Sequence, residues 1–192
     1  MESILSLFTA FGLSSSAGLN AYIPLLITGL VARYTELLAL EGPFAALENP
    51  WVLGTLAVLL LIEILVDKIP AVDSLNDVIH SVIRPAAGAI LFAANTGTVT
   101  SMDPALAVVL GLLAAGSIHA TKTVARPAVT ATTGGIGNPV VSTVEDVLAV
   151  IGSLLAIFLP VVMGVILIVS GVLIGRWWWR RRDRALTRDP VL

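Results

Sequence analysis

Ionisable side chains recur at helical spacing between apolar runs in residues 63–84, which read EILVDKIPAVDSLNDVIHSVIR. Four of them lie at intervals of four, three and four, which places them on one stripe of a helix: Asp73, Asp77, His80 and Arg84. Upstream, Glu63 and Asp67 are four residues apart and share a face of the preceding helix. Carboxylates and an imidazole in a membrane segment can bind a cation or relay protons, and with a guanidinium they can form interhelical ion pairs.

A second set of ionisable residues follows further along the chain. Its basic members recur at intervals of three and four and predict one helix face: His119, Lys122 and Arg126. Two carboxylates, Glu145 and Asp146, come next. We expect Lys122 or Arg126 to pair with Asp73 and Asp77, and Arg84 to pair with Glu145 or Asp146. Alternatively, the basic residues mark a cytoplasmic boundary under the positive-inside rule.

A glycine-rich segment separates the basic face from these two acids. It contains Gly134, Gly135, Gly137 and Asn138, and it precedes a helix that we expect to start near Ser142. Glycine-rich backbone that leads into a helix can direct N–H groups at an anion. A nucleotide-binding P-loop is excluded because no Gly-Lys-Ser/Thr follows. An ordinary connector with a helix cap is the alternative interpretation.

Composition places these residues in a membrane. The chain has 192 residues, of which 57% are hydrophobic and 12% charged, whereas soluble domains carry about 25% charged residues. We therefore expect an all-α, polytopic transmembrane helical bundle. Without cysteine there is no disulfide, thiol chemistry or cysteine-based metal site. We expect no metal, no other cofactor and no nucleic-acid partner. The first residues lack a positive region, so a cleaved signal peptide is not expected.

The first apolar segment, residues 3–34, is interrupted by SSSAGLN. We predict two half-helices, 3–13 and 21–34, joined by non-helical backbone at these residues: Ser14, Ser15, Ser16, Gly18 and Asn20. Such breaks persist at membrane depth only where protein or a cavity satisfies the backbone, as in transporters with broken helices. The alternative is a surface turn between a short amphipathic helix and the first span.

Prolines set the expected boundaries of the later helices. A helix that starts near Asp73 would kink or end at Pro85, so residues 71–95 form either a kinked span or a re-entrant element. Pro104 would begin the next helix, and Pro160 divides the last apolar run in two. Five or six apolar helical segments result.

The C-terminal boundary carries an aromatic belt and a positive cluster, RWWWRRRDR. Under the positive-inside rule this sequence predicts a cytoplasmic C-terminus. We therefore assign residues 1–179 to a single transmembrane domain and residues 180–192 to a basic cytoplasmic tail.

An internal repeat links the two charged regions. Residues 70–83 (PAVDSLNDVIHSVI) align without gaps to residues 139–152 (PVVSTVEDVLAVIG), which places Asp77 on Asp146. Duplication combined with interrupted hydrophobic segments indicates a transport site. We therefore expect these two acids to approach one shared polar site.

Three sequence blocks carry a family resemblance: GLSSSAGLNAYIPLL, EILVDKIPAVD and ARPAVTATTGGIGNPVVSTVEDV. Together they resemble a bacterial family of small multi-pass membrane proteins that is known as a domain of unknown function. The resemblance covers residues 5–175 and implies an integral α-helical fold in the bacterial cytoplasmic (inner) membrane. It implies no activity.

Three functions fit these residues. The first is a transporter or channel for a small ion or solute, whose pathway is lined by the charged residues named above. The second is a membrane scaffold or assembly subunit, in which the same charges pair to fix helix packing. The third is an intramembrane enzyme that acts on lipid phosphates, which the lack of a G-x-S-x-G or H-E-x-x-H motif disfavours. We expect the first, with the lipid bilayer and a small ion or solute as partners, and leave a homo-oligomer open.

Overall fold

The computed structural model describes residues 2–67, 70–96 and 102–186, with side chains described throughout except in residues 70–77 and 181–186. This part of the chain forms helices and no strand: α1 (Glu2–Leu19), α2 (Tyr22–Tyr34), the 3₁₀-helix Gly42–Glu48, α3 (Pro50–Val66), α4 (Pro70–Thr96), α5 (Pro104–Thr133), α6 (Asn138–Phe158) and α7 (Pro160–Leu186). The predicted all-α class is confirmed.

Four segments are long and apolar enough to cross a membrane: Val78–Thr96, Pro104–Thr133, Asn138–Phe158 and Pro160–Arg180. A fifth span results if the 3₁₀-helix and α3 count as one segment with a 67° bend. The chain is thus a polytopic α-helical bundle, that is, a multi-pass membrane protein. Helix α7 continues to Leu186, so the residues assigned to the basic tail begin as helix.

Helix α1 lies at the centre and packs against α4, α5, α6 and α7. Small residues permit this close approach. A Cβ added at Gly18 would collide with the backbone carbonyl of Ala115 on α5, and α4 meets α5 in the same way where Gly88 faces Gly111. Glycine at such crossings lets helix backbones touch, as in other membrane bundles.

The predicted break within SSSAGLN is wrong for its first residues. Four residues expected to be non-helical lie inside α1: Ser14, Ser15, Ser16 and Gly18. The Ser14 hydroxyl donates to the carbonyl of Gly88 at 2.8 Å, and the Ser16 hydroxyl donates to that of Gly12 at 2.9 Å. Because these polar groups find acceptors without unwinding, the helix continues through them.

The chain does break at Asn20, the last residue of the predicted set. Its side-chain oxygen accepts from the backbone N–H groups of Tyr22 at 3.0 Å and Ile23 at 3.1 Å. Asn20 thereby satisfies two free donors at the start of α2. The interruption between the half-helices is one short junction rather than seven residues of irregular backbone.

Three helix boundaries also differ from expectation. Helix α4 starts at Pro70 and α6 at Asn138, earlier than predicted, because proline fits the first turn of a helix. Helix α4 also runs through Pro85 to Thr96. The Pro85 ring faces α5, since a Cβ added at Gly116 would lie 3.9 Å from it. Proline is tolerated inside membrane helices because neighbouring helices can satisfy the freed backbone group. The division at Pro160 is confirmed.

The aligned repeat segments bury the same helix face. Residues 78–84 and residues 147–153 show the same order of exposed, half-buried and buried positions along the helix. The second copy buries Ala149 and Ser153 where the first buries His80 and Arg84. The expected approach of Asp77 to Asp146 stays a prediction, since the side chains of Asp73 and Asp77 lie outside the described ones.

Because successive helices alternate in direction, the two ends of the bundle differ. One end, here called the Asn20 end, holds the α1–α2 junction, the α5–α6 turn and the C-terminal half of α7. Contacts from α1 to α6 fix this alternation: Thr9 bonds to Ala156 near the opposite end, and Asn20 bonds to Asp146.

Candidate functional site

Ionisable side chains from four helices meet toward the Asn20 end of the bundle. We call this set the buried charge network: Glu63 and Asp67 (α3 and its C-terminal residue), His80 and Arg84 (α4), His119, Lys122 and Arg126 (α5), and Glu145 and Asp146 (α6). The first seven are buried, and the two α6 acids are half-buried. Helices α3, α4 and α5 contribute residues three or four apart, so helical periodicity aims them at the same side, whereas the two α6 acids are adjacent in sequence.

The inner part of the network centres on Glu63 and Arg84. Nη2 of Arg84 donates to Oε1 of Glu63 at 2.9 Å, and both residues are 2% exposed or less. Nε2 of His80 lies 3.2 Å from the same carboxylate oxygen. The other guanidinium nitrogen, Nη1, lies 3.2 Å from Nδ1 of His119. Since a guanidinium only donates, Nδ1 of His119 is the acceptor.

Helix α2 closes this inner part. The Tyr22 ring packs edge-on against the His80 imidazole, with the ring centroids 5.9 Å apart. The second carboxylate oxygen of Glu63 is buried and has no hydrogen-bond partner among the described residues. Glu63 therefore concentrates its contacts on one oxygen.

The outer part of the network centres on Glu145. Its Oε2 lies 2.7 Å from Nζ of Lys122 and 3.3 Å from Nη2 of Arg126. The same Arg126 nitrogen lies 3.9 Å from Oδ2 of Asp67, which also accepts from the Ser142 hydroxyl at 2.8 Å. Arg126 thus links Glu145 of α6 to Asp67, the residue that follows α3, and Lys122 adds a second cation at Glu145.

Asp146 joins the network from the break between α1 and α2. The amide nitrogen of Asn20 donates to Oδ1 of Asp146 at 2.9 Å. One Asn20 side chain therefore caps α2 with its oxygen and binds the α6 acid with its nitrogen. The interrupted helix and the charged helix faces meet here.

The predicted pairing of Lys122 or Arg126 with Asp73 and Asp77 stays a prediction, since the side chains of these two acids lie outside the described ones. Among the described residues, Lys122 pairs with Glu145 and Arg126 lies near Asp67. For Arg84 the sequence predicts Glu145 or Asp146, whereas the structure places it on Glu63. The reason is the position of each side chain along α5. Arg84 contacts His119, whereas Glu145 contacts Lys122, which lies about one helical turn further along α5 toward the Asn20 end. Helical spacing identifies a face but not the level at which two faces meet.

The glycine-rich segment forms a compact turn between α5 and α6. Gly134 and Gly135 adopt positive φ angles of 62° and 88°, and Gly134 caps α5. Three backbone N–H groups donate into the turn itself: those of Ile136, Gly137 and Asn138. Because these donors are used locally, the geometry favours the connector interpretation over an anion cradle.

Two site residues were not among the predicted ones, Ser142 and Tyr22. Ser142 lies one turn before Glu145 and Asp146, a spacing that indicates a shared face. Tyr22 follows Asn20 by two residues, and its contact with His80 depends on the sharp junction between α1 and α2. No local pattern predicts that junction geometry.

The described part of the network contains four carboxylates and three cations, Arg84, Lys122 and Arg126. Among the described residues, no three acids or histidines converge as metal ligands would.

A separate cleft of about 350 Å³ opens at the opposite end of the bundle. Its polar lining comes from α1, α4 and the loop after α2: Glu2, Ser6, Thr9, Glu36 and Asn95. Two of these residues are acids, so the cleft presents negative charge toward that side of the membrane.

The helices and the buried charge network together define a multi-pass α-helical membrane protein with a polar centre. A family model described as "Domain of unknown function (DUF4126)" matches residues 7–180, and the chain belongs to that family. No curated protein and no solved structure matches the chain.

Proposed function

We propose that the protein is a membrane transporter for a small ion or solute and that the buried charge network lines its pathway. The observation that carries the proposal is the burial of seven ionisable side chains among helices long enough to span a membrane. Such groups are expensive at membrane depth and usually mark ion or solute pathways. Stability alone explains them poorly, because apolar residues of similar volume often stabilise as well as a buried ion pair.

The closed packing of the network favours a carrier over an open channel. Its seven buried members are each exposed by 6% or less, so water does not reach them freely in this conformation. Exchange with solution then requires helices to move apart. The short junction at Asn20 is suited to such movement, because it separates α1 from α2 and holds Asp146 by one hydrogen bond.

The distribution of charge supports a cytoplasmic C-terminus in the bacterial inner membrane, which we propose as the location. Arg176 and Arg180 are exposed on α7 at the Asn20 end, beside an exposed belt of three tryptophans. The loops at the opposite end carry the acids Glu36 and Glu41. Under the positive-inside rule the network lies toward the cytoplasm and the acidic cleft opens on the other side.

A scaffold function is the alternative, and the pairing itself favours it. Lys122 and Arg126 each lie within 4 Å of an acid from another helix, so the network links α5 to α3 and α6. In that case the charges fix helix packing and no solute crosses. Flux measurements separate the two functions.

Flux into proteoliposomes that contain the purified full chain tests the proposal, with cations, anions and pH scanned in turn. We expect flux above that of empty liposomes for one class of ion or solute. Glu63→Gln should abolish it, whereas Glu41→Gln, which changes an exposed loop acid, should retain it. No flux across the scan, or equal flux in the two variants, contradicts the proposed pathway.

A further inference from the structure

We infer that the ion taken up by the buried charge network is a proton, that it binds the His80 imidazole, and that Glu63 is its counter-ion. The inference rests on the proposed transport function and names its coupling ion. It comes from the contacts of the two histidines: His119 lies against a guanidinium, whereas His80 lies against a carboxylate.

His119 is held as a hydrogen-bond acceptor. Nη1 of Arg84 lies 3.2 Å from its Nδ1, and an arginine nitrogen has no lone pair to offer. A second ring proton on Nδ1 would face the guanidinium proton directly. His119 therefore stays neutral, with its single ring proton on Nε2.

His80 faces a carboxylate, which accepts hydrogen bonds, rather than a donor. Its Nε2 lies 3.2 Å from Oε1 of Glu63, and both side chains are buried. The carboxylate therefore stabilises any positive charge that the ring acquires.

The local geometry favours a proton over a metal cation. A metal ion beside Glu63 would have to displace the guanidinium of Arg84, which donates to the carboxylate at 2.9 Å. A proton on His80 needs no such displacement.

Charged and titratable groups surround the pair from every helix that packs on it. They are Tyr22 from α2, Asp67 at the end of α3, Arg84 from α4, and His119 and Lys122 from α5. From α6, Glu145 faces Lys122 and Asp146 faces Asn20. Asp73 and Asp77 precede His80 on α4, and their side chains lie outside the described ones.

The transport step forms and breaks only N–H and O–H bonds. A hydronium ion on one side of the membrane donates a proton to the imidazole nitrogen and becomes water, and the imidazolium later gives the proton to a water molecule on the other side, which becomes hydronium. The heavy atoms of Glu63, His80 and Arg84 keep their bonds, and no oxidant or co-reactant takes part.

The sequence makes the test direct, because the chain has two histidines in all. Full-length protein labelled with ¹⁵N-histidine and reconstituted in bilayers gives two sets of imidazole resonances, whose shifts distinguish both neutral tautomers from the cation. His80→Gln and His119→Gln assign them, and if one variant does not fold the other assigns both by difference. Between about pH 8 and pH 5 we expect the His80 ring to become a cation. The His119 ring should remain neutral with its proton on Nε2.

A His80 ring that keeps one protonation state over this range, or a His119 ring that becomes charged, overturns the inference. Proton uptake into proteoliposomes, driven by a potassium diffusion potential and read by an internal pH dye, gives an independent readout. We expect uptake to fall to the empty-liposome level in His80→Gln and to persist in Ser81→Ala, an exposed neighbour on α4. Equal uptake in both variants at a level above that of empty liposomes also overturns it.

Failure of this inference is distinguishable from failure of the proposed function. If His80 does not titrate while another ion crosses in a Glu63-dependent manner, the proton assignment falls and the transporter stands. If His80 titrates as expected and nothing crosses, the proton site is retained and the transport function fails.

Discussion

Removing the cation of the innermost ion pair should destabilise the protein more than removing the whole pair. In Arg84→Met, the Glu63 carboxylate stays 2% exposed and loses the guanidinium that donates to it at 2.9 Å. Breaking a buried pair from one side typically costs about 3–5 kcal/mol, because it leaves an uncompensated buried charge. The double variant Glu63→Leu/Arg84→Met leaves no such charge and should lie within about 1–2 kcal/mol of the wild type.

The free energy of unfolding, measured by steric trapping in bicelles, tests this double-mutant cycle. Arg33→Met is a matched control, because Arg33 is exposed and donates to a backbone carbonyl, that of Glu48. It should change stability by about 1 kcal/mol or less. A double variant as unstable as the sum of its single changes, or an Arg84→Met loss no larger than that of Arg33→Met, refutes the reasoning.

Three further predictions follow from the packing and the topology. Gly88→Val places a side chain against the backbone of α5 and should reduce stability by about 1–3 kcal/mol, whereas Gly171→Val, where nothing lies within 4 Å, should be tolerated in the same unfolding assay. Asn20→Ala removes both the α2 cap and the hydrogen bond to Asp146, so it should lower the free energy of unfolding more than Asn49→Ala does. Asn49→Ala removes only a helix cap, which contributes about 1 kcal/mol. Equal decreases in the two variants would show that the hydrogen bond to Asp146 contributes nothing. A C-terminal topology reporter should read out as cytoplasmic, and a periplasmic signal would reverse the proposed orientation.

Much of the architecture could be predicted from local sequence. Apolar runs identify the helices, and Pro104 and Pro160 begin two of them as expected. Regular spacing correctly placed His80 and Arg84 on one buried face. These features depend on backbone geometry within a single helix, which the sequence determines directly.

Features that depend on a partner helix could not be predicted. The serines of α1 remain helical because one of them finds the carbonyl of Gly88, which lies 74 residues away in sequence. Arg84 meets Glu63 rather than Glu145 because the level of each side chain is set by how α3, α4 and α6 dock. Helical periodicity within one helix determines neither the distant acceptor of a serine nor the level at which two helices dock.

The most direct test of the transport pathway is current on a solid-supported membrane that carries oriented proteoliposomes, after a rapid jump in pH or ion concentration. For the wild type and Glu41→Gln we predict a transient current that scales with the imposed gradient, and for Glu63→Gln no current above that of empty liposomes. A current of equal size in Glu63→Gln, with the variant folded and inserted normally, would contradict the assignment of the buried charge network as the pathway.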